Sequence, residues 1–448
     1  MLKIDNVITV TEPNEDILNY IKEQLIIPNP DYLQAIKRNA NVRRLRPHMH
    51  LYTQKDSNTY VLPFGCLRDI WRLKGDMNYI NLLKPLVPNH DYNEVSLYGY
   101  QRHAVTLMLK AKNGVLEAPC GSGKTRMGLA IISILKGKAL WLTHTKQLMD
   151  QSFSSAKELF GDIKYGFITE GKVSIGDDIT FATVQTLSKI DLQEIKNEFD
   201  VIIIDECHHC VGSPTKVQMF YKVINSLSCR YKFGLSATTT RTDGLHKSMF
   251  ALIGNVEYSI QSTQIGEKII KALYQSIENN KKYPMYEYSN TDGTIDYTSL
   301  INMLSSDRHR NELITNKVIE MHKEGRKQLI LCPRVAQAEL IHKSLKLDNV
   351  VSLLMTGKKK VSYEVMKQYD TIVATEQLAK EGLDYQELDC LHITSPMKNE
   401  TTIKQSIGRV ERNVIGKKQP IVFDYVDKNI SYCVKASKIK RRFALKKI

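Results

Sequence analysis

Gly121 and Gly123, inside Glu117-Ala-Pro-Cys-Gly-Ser-Gly-Lys-Thr125, are small enough to let backbone amides wrap a phosphate chain, and Pro119, Cys120 and Ser122 complete that loop. Lys124 would neutralise the β- and γ-phosphates, and the Thr125 hydroxyl would ligate Mg2+. The stretch opens on Ala118 where many phosphate loops have glycine. Further along, Val201-Ile-Ile-Ile-Asp-Glu-Cys-His208 carries two adjacent acids. Asp205 would hold the metal through water, and Glu206 would polarise the water that attacks the γ-phosphate. In Gln405-Ser-Ile-Gly-Arg-Val-Glu-Arg412, Arg409 and Arg412 stand at i, i+3 spacing, so on a helix their guanidiniums share a face and can approach one phosphate group. Cys207-His-His-Cys210 invites a zinc reading, but no second pair lies at finger spacing; His208 is read instead as a link between nucleotide and the neighbouring strand end.

Particular elements must position these groups. From about Gly114, short apolar runs alternate with helix-like segments: GVLEAP, ALWLTH, ITFAT, VIIID and FGLSAT, then QLILC, VVSLL, TIVAT, CLHIT and IVFDYV. Such runs, without polar alternation, read as strands buried on both faces, and their alternation with helices implies parallel sheets. The phosphate loop lies between strand-like GVLEA and helix-like RMGLAIISILK, whose N-terminal dipole points at the anion. The acid pair ends an apolar strand, where an open parallel sheet places its ligand. Two α/β domains follow, joined near Gln261 to Glu267. SLINMLSSDRHRNELITNKVIEMHK reads as one helical pattern ending at Gly325, with Leu300, Leu304, Leu313, Ile314, Val318 and Ile319 at spacings of three and four. The first 90 or so residues lack a phosphate loop and hold a basic cluster, Lys37, Arg38, Arg43, Arg44, Arg46 and Lys55, with Tyr52, Phe64 and Trp71 nearby. The tail KASKIKRRFALKKI is basic without an acid, as a solvated helix end or a phosphate contact would be.

The phosphate loop, DECH, Ser236-Ala-Thr238 after an apolar run, and QSIGRVER, in this order, resemble motifs I, II, III and VI of superfamily 2 helicases. SATTTRTDG, with Arg241, Asp243 and Gly244, is similar to the matching segment of the XPB, RadD and phage UvsW-like group, with Thr239 where that group usually has proline. ATEQLAKEGLDY (374–385) resembles motif V, and THTKQL and ATVQTL resemble motifs Ia and Ic. The resemblance runs from Leu97 to Tyr425. It implies an α/β fold of two tandem RecA-like parallel-sheet domains (93–262 and 263–448, the second ending in the basic tail). Residues 1–92 lie outside the resemblance and are expected to form a small N-terminal α+β accessory domain, whose basic cluster and aromatic residues suit docking of DNA and whose alternative role is to pack on the motor for stability. ATP and Mg2+ are the implied cofactors, with Thr125 and Asp205 at the metal. By the same resemblance Gln101 reads adenine, Gly382 and Asp384 sense nucleotide, His208, Ser236 and Thr238 couple hydrolysis to motion, and Gln405 joins Arg409 and Arg412 in completing the site from the second domain. Two grips on a strand are also implied: Thr143, Lys146, Thr183 and Gln185, then Arg334, Thr356, Gly357 and Thr375.

Lys and Arg total 63 against 48 Asp and Glu, a net charge of +15 that favours a polyanionic partner, nucleic acid first. No basic amphipathic helix with Trp and Phe opposite was found, which sets a membrane surface aside. The 8 cysteines are too sparse for a disulfide scaffold and read as thiols of a reducing compartment. With no leader and no membrane-length apolar stretch, a cytoplasmic protein is expected, in the host cytoplasm if its Lys-, Ile- and Asn-rich usage marks a virus. The expected activity is that of a monomeric ATP-driven DNA helicase or translocase acting on forked, branched or single-stranded DNA with flanking duplex. Backbone contact carries little sequence information, so binding should be sequence-tolerant. An RNA helicase and a duplex-DNA translocase that does not separate strands are the alternatives; the RTDG segment after SAT favours DNA.

Overall fold

The apolar runs fold as strands because both of their faces are covered: Ala139–Thr143, Ile179–Thr183 and Val201–Asp205 are buried along their whole length. The computed structural model describes residues 1–448 apart from 87, 89, 120, 240–242, 262–269, 358–360, 362, 378–384, 386, 413, 415 and 446–448. It divides into two compact units, Met1–Gln264 and Ile265–Ile448. The expected linker lies, beyond Gln261, outside the described residues.

In the first unit an eight-stranded sheet runs in the order Lys172–Ser174, Tyr165–Thr169, Ile179–Thr183, Ala139–Thr143, Val201–Asp205, Tyr231–Ser236, Asn113–Glu117, Val256–Ser259. Every neighbouring pair is parallel except the first. The second unit has six strands, all parallel, in the order Leu273–Asn279, Ile421–Asp427, Cys390–Ile393, Gln328–Cys332, Thr371–Thr375, Ser352–Met355. Both are RecA-like α/β sheets. All ten apolar runs are strands; the strands of these two sheets that the runs did not reveal lie at or next to sheet edges, where the apolar run breaks up.

The long helical pattern is a correction: it folds as two helices, Tyr297–Ser306 and Arg308–Lys323. Asp307 breaks it, because its backbone is extended (φ −67°, ψ 117°) and its carboxylate accepts the Arg310 N–H at 2.8 Å, capping the second helix.

Residues before the first RecA-like sheet form a mixed five-stranded sheet, Thr53–Asp56, Thr59–Pro63, Val7–Thr11, Leu2–Ile4 and Tyr79–Asn81 in spatial order, flanked by helices such as Glu15–Gln24 and Leu67–Leu73. This small α+β module shares one apolar core with the larger sheet: Leu2, Ile17, Leu62 and Ile70 pack in the same cluster as Val115, Leu140 and Leu252. The Asp5 carboxylate accepts Lys196 Nζ at 2.8 Å and Ser228 Oγ at 2.7 Å across the seam. A Cβ on Gly65 would fall 2.4 Å from the Phe250 carbonyl oxygen, so the two backbones touch there only because residue 65 is glycine. Lys232 is fully buried at the seam, its Nζ 4.6 Å from the Phe64 ring centroid and donating to the Ile224 carbonyl at 3.1 Å.

Candidate active site

Strand Asn113–Glu117 delivers the chain to the phosphate loop, and helix Lys124–Leu135 carries it away. Gly121 (φ +80°) and Gly123 (φ +83°) take the left-handed conformation that the turn requires. Gln101, 2% exposed, supports the loop from beneath: its Nε2 donates to the Ser122 carbonyl at 2.8 Å, and its Oε1 accepts the Tyr98 N–H at 3.0 Å. Tyr100 Oη donates to the same Ser122 carbonyl at 3.1 Å. Both ends of the Gln101 amide are therefore engaged by backbone, so reading adenine would require it to exchange these bonds. Lys124 Nζ donates to the Ala118 carbonyl at 3.2 Å and stands 3.8 Å from Glu206 Oε1. Ser122 Oγ is buried without a hydrogen-bond partner. Cys120 lies outside the described residues.

Strand Val201–Asp205 pairs with Ala139–Thr143 on one side and Tyr231–Ser236 on the other, placing the acids at its C-terminal end. Asp205 accepts Ser152 Oγ at 3.2 Å and the Glu206 N–H at 3.0 Å. Burial first, and the Glu206 charge second, push its pKa up to about 6. Burial also opposes ionisation of Glu206, but Lys124 and His208 outweigh it and hold that carboxyl well below its usual range. Buried Asp205 and partly buried Glu206 carry four carboxylate oxygens between them, more than Lys124 and His208 satisfy. That donor set, with the Thr125 hydroxyl at the first turn of the helix, fits a hard divalent ion such as Mg2+.

His208 Nδ1 lies 3.1 Å from Ser236 Oγ and 3.3 Å from Glu206 Oε2. Ser236 Oγ has one proton, which goes to the Thr238 carbonyl at 2.7 Å, so His208 must donate from Nδ1 to that hydroxyl. The Ser236 carbonyl in turn accepts the Ala118 N–H at 2.8 Å, tying this strand end to the phosphate loop. Thr239 has a reason to replace proline: its backbone N–H donates to Glu117 Oε1 at 3.3 Å, a bond proline cannot make. Behind the acids, the His209 and His144 rings stack at 3.4 Å between centroids, and burial lowers their pKa values to about 2 and about 4. Cys207 and Cys210 point into the apolar core, Cys207 Sγ lying 3.5 Å from Met249 Sδ, and burial raises both thiol pKa values.

Two family models match this chain: "Type III restriction enzyme, res subunit" over residues 94–241 and "Helicase conserved C-terminal domain" over 309–414. A putative ATP-dependent RNA helicase of Acanthamoeba polyphaga mimivirus is 30% identical over 75% of this chain and 64% of its own length. The chain is therefore similar to superfamily 2 helicases in both units. A DNA 3'-5' translocase, XPB2, of Sulfurisphaera tokodaii is 32% identical over 42% of this chain and 43% of its own. The chain spans less than two thirds of the length of either relative. The solved structure of Saccharomyces cerevisiae Dbp5, titled as bound to RNA and ADP BeF3, matches with a TM-score of 0.54 at 14% identity, covering 86% of this chain and 92% of that one, a likeness of fold.

The first grip expected of such a helicase is half at the surface. Lys146, paired with Glu170, and exposed Gln185, whose Nε2 donates to the His144 carbonyl at 2.7 Å, reach it. Thr143 and Thr183 are buried, and their hydroxyls donate to the Thr145 carbonyl at 2.9 Å and to Thr186 Oγ1 at 3.1 Å. In the second unit Arg334, Thr356, Gly357 and Thr375 lie at or just past the C-terminal ends of three adjacent strands. Arg334 Nε donates to Asn302 Oδ1 at 2.8 Å, and Gly357 (φ +83°) faces open space.

Helix Glu400–Val410 carries Gln405, buried, and Arg409. Arg412 lies past its end, so the shared helical face of the two arginines is corrected. Glu411 diverts the chain: its carbonyl accepts the Ile270 N–H at 2.9 Å and its carboxylate the Ala272 N–H at 3.3 Å. Gly382, Asp384 and Arg241 lie outside the described residues. In the tail helix Ser431–Leu445, Lys440 is buried against Asp424 and donates to the Ser395 carbonyl at 2.9 Å, while Lys435, Lys438, Arg441 and Arg442 are exposed.

Proposed function

We infer that this protein hydrolyses ATP and uses the cycle to move on and separate branched DNA. The observation that carries the hydrolytic part is the acid pair within reach of the phosphate-loop lysine: Lys124 Nζ is 3.8 Å from Glu206 Oε1, with Asp205 beside it. Lys124 leaves its present partners to meet the phosphates. Glu206, kept ionised by Lys124 and His208, is in the acceptor state needed to orient a water and take its proton. Mg2+ held by Thr125 and, through water, Asp205 would neutralise phosphate charge. Gln405, Arg409 and Arg412 are assigned to the same reaction, Arg409 as the charge-stabilising guanidinium.

Support for a nucleic-acid partner is electrostatic. Lys37, Arg38, Arg43, Arg44, Arg46 and Lys55 are all exposed on the N-terminal module, with Trp71 exposed nearby, whereas Phe64 is buried and takes no part. Among the described residues no helix is long and apolar enough to cross a membrane. DNA is preferred to RNA on the RTDG segment; the mimivirus relative, named as an RNA helicase, keeps the second reading open to experiment. Turnover is measured with forked DNA, a four-way junction, flush duplex and RNA, alongside strand displacement. Forks or junctions should stimulate hydrolysis and be separated. Stimulation by RNA alone would assign the RNA reading, and hydrolysis without separation the translocase reading.

A further inference from the structure

His144 and His209 take no part in phosphate chemistry, yet His209 adjoins the catalytic acids and His144 adjoins the first grip. His209 lies next to His208 in the short 3-10 turn Cys207–Cys210 that follows the catalytic acids, its backbone N–H donating to the Glu206 carbonyl at 3.0 Å. The rings of His208 and His209 are 4.3 Å apart at 35°. His144 belongs to the loop after strand Ala139–Thr143, between buried Thr143 and Thr145, which caps the helix that begins at Lys146. Its carbonyl is held by Gln185 at 2.7 Å, so two loops of the first grip meet at this residue.

The His144 loop meets the acid turn at a ring pair, His144 on His209, at 3.4 Å and 28°. His144 Nδ1 is buried without a hydrogen-bond partner, so the ring is placed by its face rather than by that nitrogen. His209 is braced from the other side, its Nδ1 lying 3.4 Å from Lys216 Nζ. A continuous path therefore runs from Gln185 through the His144 carbonyl and ring to His209, His208 and Glu206, entirely inside the first unit. It is separate from the path that leaves His208 through Ser236 to Thr238.

We propose that the His144–His209 stack is a second coupling arm, through which a strand held at Lys146 and Gln185 repositions Glu206 and so accelerates ATP hydrolysis. This rests on the reading of the protein as a nucleic-acid-stimulated ATPase. Both histidines are positioning residues. A shift of either loop by a fraction of an ångström moves the acid turn because rings in face contact cannot be compressed.

The test is ATP turnover with and without oligothymidylate or oligouridylate, together with oligonucleotide affinity and melting temperature, for the wild type, His144→Ala, His144→Phe, His209→Ala and His209→Phe. The ratio of stimulated to unstimulated turnover should fall about tenfold in both Ala variants, with affinity within about threefold of wild type, and recover in the Phe variants, which keep a ring in contact. Unchanged ratios in folded Ala variants, or a fall explained by weaker affinity, overturn the arm while leaving the functional reading intact. Absence of stimulation in the wild type overturns the functional reading itself, and the arm with it.

Discussion

Lys124 and Glu206 carry different burdens, and substitution separates them. Lys124→Ala should lower ATP turnover by about two to three orders of magnitude while sparing nucleic-acid affinity, because the phosphate loop, Lys146 and Gln185 follow three different strands. Arg409→Ala should still bind a fluorescent ATP analogue yet lose hydrolysis; wild-type turnover would take Arg409 out of the proposed catalytic set. Thr239 tests a finer point. Its N–H bond to Glu117 predicts that Thr239→Pro, although it restores the residue usual in the related group, destabilises the first unit by about 1 kcal/mol, read as a lower melting temperature. A rise on this substitution would show that the bond contributes nothing.

Elements fix how much room a residue has. On Gly123 a Cβ would stand 2.4 Å from Gln101 Nε2 at a φ of +83°, so Gly123→Ala should displace the loop and weaken ATP binding by at least about tenfold. In the second unit, His392 on strand Cys390–Ile393 is buried between Gln328 and Tyr425. Gln328 Oε1 can only accept, so Nε2 of His392 donates to it at 2.9 Å, and Nδ1 accepts from the Tyr425 hydroxyl at 2.8 Å. Burial lowers the pKa of this neutral ring to about 3 from an ordinary 6.5. The unfolded chain then binds the proton more readily, so stability from this group is complete above about pH 6.5 and is lost as pH falls toward about 3. Urea melts of the wild type and of His392→Gln across that window should diverge, the variant losing less on acidification.

At the scale of the molecule, charge and burial divide the basic residues into two populations. Lys232 and Lys440 are buried and belong to the core, whereas the cluster from Lys37 to Lys55 is solvated. Replacing Arg43, Arg44 and Arg46 together by Gln should weaken binding uniformly across DNA sequences. It should also flatten the logarithmic salt dependence by about 0.7 to 0.9 for each phosphate that is no longer neutralised, measured between about 50 and 200 mM salt. Point substitutions are needed for this purpose. Deleting the N-terminal module would uncover core residues such as Val115 and Leu252, confounding a defect in docking with a defect in stability.

The buried parallel strands, the phosphate loop, the acid pair and the order of the motifs were legible in the chain, because each is set by residue type over a few neighbouring positions and by the apolar period. Local pattern did not reveal the break at Asp307, the end of the helix before Arg412 or the burial of Thr143 and Thr183. The break at Asp307 is a local cap that the apolar period does not register, whereas the other two depend on where a distant N–H or carbonyl arrives: Ile270 and Ala272 at Glu411, and Ala182 as a second neighbour of the Thr143 hydroxyl. Tyr100 beneath the phosphate loop and the His144–His209 stack belong to this second class. Their sequence neighbourhoods were visible, but a role that consists in touching a segment far away in the chain exists only once the sheet has aligned the two strand ends.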